Sequence, residues 1–469
     1  MIDEFNPAQI IDKKKRGKVL SSSEIKQFIQ GFMENTVADY QMTAMLMAMF
    51  LKGLNTRETQ DLTDAMLYSG KSLVFKDPTI IDKHSTGGIG DKTSFILGPI
   101  AAACGVKVPM VAGRGLSFTA GTVDKFEAIP GIQTNLNLDQ FSKQLLEKGI
   151  VMMGQTHDIA PADKRIYALR DVTATVDCIP LITASIMSKK LAEGARGMVF
   201  DIKCGSGAFM KTLSEAKKLA KSLGQTAERF QRSTCIYITD MNRPLGKTVG
   251  HSLELIECFE TLKNRGPKDL TDLSVELAGA MIFLAGLSSS IEKGKAQALS
   301  VLKNGMALKK LADLIKWQGG NDKVIDDYLL LPSCKEKTPL KAEKEGFIHE
   351  IDTKEIGLAL VELGGGRKQA SDKIDFAVGM TFLKTLGDKV QKGETILEFH
   401  HHKKQKELVQ QLSQKLNTFI KIQNKKPKIL PLIYDKQEKL WKNNARRGNN
   451  VSKINRGHGL SKATNQPNT

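Results

Sequence analysis

Residues 83–94 read Lys-His-Ser-Thr-Gly-Gly-Ile-Gly-Asp-Lys-Thr-Ser and contain the parts of a phosphate cradle. Glycines let backbone N–H groups approach an anion closely, and a following helix N-terminus adds positive potential. Lys83 supplies a point charge, and Ser85 and Ser94 supply hydroxyl donors. The stretch matches neither G-x-x-x-x-G-K-[ST] nor G-x-G-x-x-G, so ATP and dinucleotide binding are not supported. Alone, such a loop is more often an ordinary turn. A second small, polar loop spans 113–127, where Thr122 adds another donor. Arg114 has the charge of an anion ligand, but Asp124 and Glu127 suit it better as internal ion-pair partners. The third element is Arg170 with Ser185 and Lys189. Ser185 and Lys189 are four residues apart and share a helix face. Arg170 precedes Pro180 and reaches the same place from the preceding helix. A guanidinium, a hydroxyl and an ammonium suit the carbonyl oxygens and deprotonated nitrogen of a polar heterocycle. The plainer alternative is a solvated helix surface. His84 stands where the two sets meet. Phosphate and heterocycle in one site point to chemistry on a nucleoside.

These side chains need elements to carry them. Residues 1–65 read as helical. Ser21-x-x-Glu24 is a capping box followed by Ile25, Phe28, Ile29 and Phe32 at helical spacing, and Asn55-x-x-Glu58 opens another helix. Met42, Met45, Leu46, Met49 and Phe50 form an apolar stripe that reads as core. From about residue 78 short apolar runs alternate with amphipathic ones. Strands are expected at 80–82, 108–112, 150–153, 198–201 and 236–239, with helices at 138–148 and 214–230 between them. A helix is expected to start near Asp91. This is the rhythm of a mostly parallel α/β sheet, whose ligands bind beyond the carboxyl ends of the strands. Residues 162–192 interrupt it with helix. Residues 332–345 form a boundary, and a β-rich segment follows. Within it Leu386–Leu397 resembles the hammerhead of biotinyl and lipoyl carriers without their lysine motif.

The chain has 469 residues, 41% hydrophobic and 26% charged, which suits a globular protein of several domains. Six scattered cysteines without C-x-x-C spacing read as reduced thiols in a cytoplasmic protein. No signal peptide or membrane span is evident, and no metal site is expected. His400-His401-His402 is adjacent in sequence, so the three side chains diverge. The net charge is +18, and half of it lies from Lys425 onward, with eleven Lys or Arg against two Asp or Glu. That segment reads as a solvated tail rather than a nucleic-acid tether.

The ordered set of motifs adds a resemblance. Lys83–Asp91, Gly113–Leu116, Gly121–Glu127, Gly154–Thr156, Pro161–Arg165, Tyr167–Val176, Ser185–Lys190, Lys203–Met210 and Thr239–Gly246 together resemble the thymidine/pyrimidine-nucleoside phosphorylase family. The resemblance runs to about residue 435. It implies an α/β fold with a helical lobe (1–65 and 162–192) and a mostly parallel, mixed α/β-sheet lobe (78–155 and 196–333). A C-terminal α+β, barrel-sandwich-like domain (345–435) completes it. The basic segment 436–469 lies beyond the resemblance and reads as a disordered tail. The resemblance further implies a cytoplasmic homodimer that converts thymidine and inorganic phosphate to thymine and 2-deoxy-α-D-ribose 1-phosphate. No cofactor, nucleic-acid partner or membrane partner is implied. Position by position, Lys83, Ser85, Ser94 and Thr122 match phosphate ligands. His84, Arg170, Ser185 and Lys189 match pyrimidine ligands and catalytic groups, and Leu116 and Phe209 match apolar walls. Methionine at position 110 matches thymidine-preferring members, whereas broad-specificity members carry lysine. The chain departs from the family at Ala112, where a phosphate-binding serine is expected, and at Ser117, Phe118 and Ala120. Alternatives are a broader phosphorylase that also takes uridine, a transferase like anthranilate phosphoribosyltransferase, and a catalytically weakened nucleoside-binding protein.

Overall fold

The computed structural model describes residues 5–115, 117–369 and 371–441. Four helices open the chain: α1 (Pro7–Lys15), α2 (Ser22–Met33), α3 (Asp39–Lys52) and α4 (Thr56–Leu67). Ser21 and Asn55 close capping boxes on α2 and α4, which satisfies N–H groups that a helix start leaves unpaired. The methionine stripe of α3 is core: Met42, Met45 and Met49 are buried with Phe28, Phe32, Leu62 and Met66. Burying each such side chain contributes about 1.5–3 kcal/mol before chain entropy is subtracted.

Three parallel strands form the centre of the second lobe. These are β1 (Ile81–Ser85), β4 (Gly197–Cys204) and β5 (Ser233–Asp240), in the order β1-β4-β5. A parallel pair, β2 (Val108–Ala112) and β3 (Ile150–Gly154), lies beside β1 and is joined to it by a bridge between Ile80 and Lys107. β4 and β5 are buried along their whole length, as a sheet covered on both faces requires. Helix α5 (Ser94–Ala103) follows β1, and α6 (Thr122–Glu127) and α7 (Leu138–Lys148) follow β2. α5 begins three residues later than its sequence suggests. Asp91 Oδ1 accepts from Thr93 Oγ1 (2.9 Å) and from the Thr93 N–H, holding a turn in front of the helix.

The chain then returns to the helical lobe. α8 (Pro161–Val172) packs on α2 and α3, and α9 (Ile179–Ala192) packs on α4. α10 (Leu213–Arg229) covers α9 and β5. The C-terminal domain pairs Gly379–Phe382 with Thr248–Val249, so its sheet is sewn to the second lobe.

The tail expectation needs one correction. Residues 436–439 are not a solvated tail: Ile433–Lys439 is a strand, antiparallel to β5, that closes the edge of the main sheet. Its ladder bonds and ion pairs of Lys436 with Glu276 and Lys439 with Glu228 hold a segment whose composition looks unstructured. The rest of the expected tail, 442–469, lies outside the described residues.

Candidate active site

A cavity of about 570 Å³ opens between the helical lobe and the carboxyl ends of β1 and β2. Every described residue that the resemblance matches to a ligand or an apolar wall lines it: Lys83, His84, Ser85, Ser94, Thr122, Arg170, Ser185, Lys189 and Phe209. Leu116 lies outside the described residues.

Among the phosphate-side groups, Lys83 and Ser85 sit on β1, and Ser94 and Thr122 open α5 and α6 just after two glycine-containing loops. Lys83 is 3% exposed, and its Nζ donates to Thr93 Oγ1 at 2.7 Å, with Asp91 4.0 Å away. Burial pushes its pKa below the usual lysine value, and the Asp91 and Asp201 carboxylates oppose that. Ser85 Oγ accepts from the Gly87 N–H at 3.1 Å. Gly90 has φ +72, and a Cβ there would stand 2.7 Å from the Leu245 carbonyl oxygen. Only glycine permits that close approach. Gly115 and Gly121 press backbone against backbone, which draws Thr122 in over the cavity. Arg114 is taken up by Glu127 (2.6 and 2.7 Å) and Asp124 (3.1 Å), as its neighbours suggest.

Three of the base-side groups, Arg170, Ser185 and Lys189, sit on packed helices. α9 is buried on nearly all sides, so Ser185 and Lys189 are not the solvated pair that their spacing also allowed. Lys189 Nζ donates to Ser185 Oγ at 2.8 Å and forms a tight ion pair with Asp163 of α8. Burial pulls the Lys189 pKa down, while Asp163 pulls it up. Arg170, 1% exposed, donates to the carbonyls of Thr175 (3.2 Å), Leu181 (3.2 Å) and Val176 (2.5 Å). One N–H on each terminal nitrogen is left for a ligand. His84 is half-buried on β1. Burial first, then the charges of Lys190, Lys189 and Lys83, hold its pKa well below the ordinary histidine value, so the ring is neutral at pH 7.

Among the lining residues that sequence reasoning missed are Asp163, Tyr167 and Lys190. Asp163, Tyr167 and Arg170 follow the i, i+4, i+7 pattern of a single face of α8, a signal that was there to find. Lys190 is buried in a tight pair with Asp82 and donates to the Val111 carbonyl at 2.9 Å and to Glu193 at 3.1 Å. This cluster ties α9 to β1 and β2 beneath the cavity. The three C-terminal histidines diverge, onto Thr381, Thr338 and Asp375. Among the described residues no helix is long and apolar enough to cross a membrane.

The chain is 42% identical over 429 residues to a pyrimidine-nucleoside phosphorylase of Geobacillus stearothermophilus, covering 91% of this chain and 98% of the relative. It belongs to the thymidine/pyrimidine-nucleoside phosphorylase family. Pyrimidine-nucleoside phosphorylases of Staphylococcus epidermidis (42% identity, 89% of this chain, 96% of the relative) and Staphylococcus aureus (43%, 84% and 92%) are similar to the same extent. Residues 8–70 match the glycosyl transferase family, helical bundle domain, and 77–308 its a/b domain. Residues 347–423 match the pyrimidine nucleoside phosphorylase C-terminal domain. In this family member the helical bundle and the a/b domain together wall the cavity. The fold is also similar to a crystal structure of anthranilate phosphoribosyltransferase from Thermus thermophilus, with TM-score 0.55 and 19% identity over 66% of this chain and 99% of that one.

Proposed function

We propose that the chain catalyses the phosphorolysis of thymidine, and of other 2′-deoxypyrimidine nucleosides, to the free base and 2-deoxy-α-D-ribose 1-phosphate. The observation that carries this reading is the meeting of two unlike donor sets on one cavity. Lys83, Ser85, Ser94 and Thr122 suit inorganic phosphate. His84, Arg170, Ser185 and Lys189 suit a pyrimidine. Similarity to pyrimidine-nucleoside phosphorylases supports the same reaction class.

The chemistry follows from where charge develops. As C1′–N1 breaks, its electron pair moves onto the pyrimidine and spreads to the exocyclic oxygens, leaving positive charge on the sugar. Lys189, Ser185 and the free N–H groups of Arg170 stabilise the departing anion. Removing one donor of this kind typically costs ~10²–10³ in rate. Neutral His84 donates a hydrogen bond rather than a proton. Phosphate, held beside C1′, stabilises the cationic carbon and then bonds to it from the face opposite the base. Phosphate is the co-substrate, and the proton it carries as hydrogen phosphate passes to the departing base anion, so the step balances without an enzyme nucleophile or an organic cofactor.

Met110 is buried and lines the cavity. An apolar side chain offers nothing to a ribose 2′-hydroxyl, which supports thymidine and deoxyuridine over uridine. The names of the relatives favour a second reading, broad use of pyrimidine nucleosides. Initial rates of base release from thymidine and from uridine, with and without phosphate, separate the two. Thymidine should exceed uridine in kcat/KM by about tenfold, the value of a single hydrogen bond, and Met110→Lys should narrow that gap. If pure protein releases no base with phosphate present, the proposal fails. The family resemblance also supports a cytoplasmic homodimer, which sedimentation of the pure protein tests.

A further inference from the structure

We propose that Phe118 is a positioning residue for phosphate: its ring pins the loop segment 117–122 against Phe209 and the C-terminal domain. The pin rests on the reading of the cavity given above.

Phe118 is 5% exposed, although Ser117 beside it is exposed. Ser117 has φ +56, a left-handed conformation that a non-glycine residue keeps only when its surroundings hold it. The surroundings here are aromatic and cationic. The Phe118 ring lies 5.4 Å from that of Phe209, tilted by 46°, an arrangement that favours aromatic pairs. The ammonium groups of Lys211 and Lys354 stand over the Phe118 ring at 5.4 and 5.9 Å. Three segments meet there. Lys211 and Phe209 come from the connection between β4 and α10. Lys354 comes from the C-terminal helix Thr353–Leu360. A Cβ placed on Gly357 of that helix would collide with the Phe118 carbonyl oxygen and would stand 2.5 Å from Ile89 of the first phosphate loop.

The loop is also anchored at its base. Buried Asp124 accepts from the Gly115 N–H at 2.6 Å and from both terminal nitrogens of Arg367, at 2.8 and 3.1 Å. Asp124 fixes the loop at its base, and Phe118 fixes its far side. Between and beside them Thr119, Ala120, Gly121 and Thr122 line the cavity. Without the ring, phosphate would have to order that loop as it binds, at a cost in affinity. The loss then falls on phosphate affinity rather than on bond breaking, because the base-side donors stand on other elements.

The test uses the full chain with Phe118→Ala, Phe118→Leu and Gly357→Ala. KM for phosphate, KM for thymidine, kcat and amide exchange of 117–122 are measured for each. Phe118→Ala should raise KM for phosphate about tenfold, with kcat and KM for thymidine within about twofold. Leucine should restore most of the loss. Gly357→Ala, which keeps the ring but pushes on its carbonyl, should raise KM for phosphate as well. Exchange protection of 117–122 should fall with each rise. Equal rises in both KM values, a fall in kcat alone, or unchanged protection would overturn the pin. If Phe118→Ala does not fold, the other two variants decide. If the wild type releases no base, the proposed reaction fails, and exchange in Phe118→Leu and Gly357→Ala still decides the pin.

Discussion

Ser185 and Lys189 stand on a helix buried on nearly all sides, whereas Ser85 and Thr122 flank glycine-rich loops beyond strand ends. Three of the four base-side donors are held by an internal partner: Lys189 by Asp163, Ser185 by Lys189, Arg170 by three carbonyls. The phosphate side holds Lys83 firmly but takes much of its shape from glycines and from contacts with the C-terminal domain. Donors on rigid elements cost no reorganisation when charge develops, so they act on the rate. Donors that border loops bind a ligand that must also order those loops, so their weaknesses appear as affinity. The cavity therefore divides into a side that should control kcat and a side that should control KM for phosphate.

The strongest way to break that division is Lys189→Ala. The base would lose its ammonium, and Asp163 would be left buried without its partner. We expect kcat to fall about 10²–10³-fold, with KM for phosphate nearly unchanged. A variant that keeps wild-type kcat removes Lys189 from the reaction and with it the contrast between the two sides.

Asp163→Asn sharpens the base side, with a smaller effect. The groups facing Lys189 are Asp163 and Arg170 from α8, His84 from β1 and its own neighbour Lys190. Of these only Asp163 is a carboxylate that raises the Lys189 pKa, against the lowering by burial. Lysine is active as the ammonium, so activity is lost as pH rises through its pKa in the folded enzyme, which lies below the ordinary value. Replacing Asp163 by the neutral amide removes the raising influence, so the alkaline limb of the kcat profile should move to lower pH. At neutral pH kcat/KM should fall about thirtyfold, equivalent to about 2 kcal/mol for a buried charge pair that loses one charge. An unmoved alkaline limb would mean that Asp163 only packs against α9.

The same contrast explains what is visible in the sequence. Helical spacing exposes donors: Ser185 and Lys189 four apart, and Arg170 on the preceding helix. It does not expose their partners, because Asp163 reaches Lys189 through the packing of α8 on α9. The glycine-rich loops announce phosphate by composition, yet nothing local reveals that Arg367, from the far end of the chain, anchors the second loop. The strand Ile433–Lys439 is hidden for a related reason. Edge strands carry charge and little apolar surface, so Asp435-Lys-Gln-Glu-Lys looks like a tail unless its ladder to β5 is known.

The smallest predicted effect concerns Ala112, and it would strengthen the phosphate side rather than break it. Ala112 ends β2, is half-buried, and lines the cavity at the start of the loop that carries Thr122. Its methyl group offers phosphate nothing, where the family resemblance implies a hydroxyl. A hydrogen bond to a charged group contributes about 1.5–3 kcal/mol. The lower figure applies here, because the loop beyond Ala112 is shaped around Phe118 and keeps that shape in the variant. Ala112→Ser should therefore lower KM for phosphate about tenfold, while kcat and KM for thymidine stay within about twofold. Rates at limiting phosphate measure this directly. If the serine leaves KM for phosphate unchanged, the cradle does not extend to residue 112, and the loops around Gly87 and Thr122 hold the anion without it.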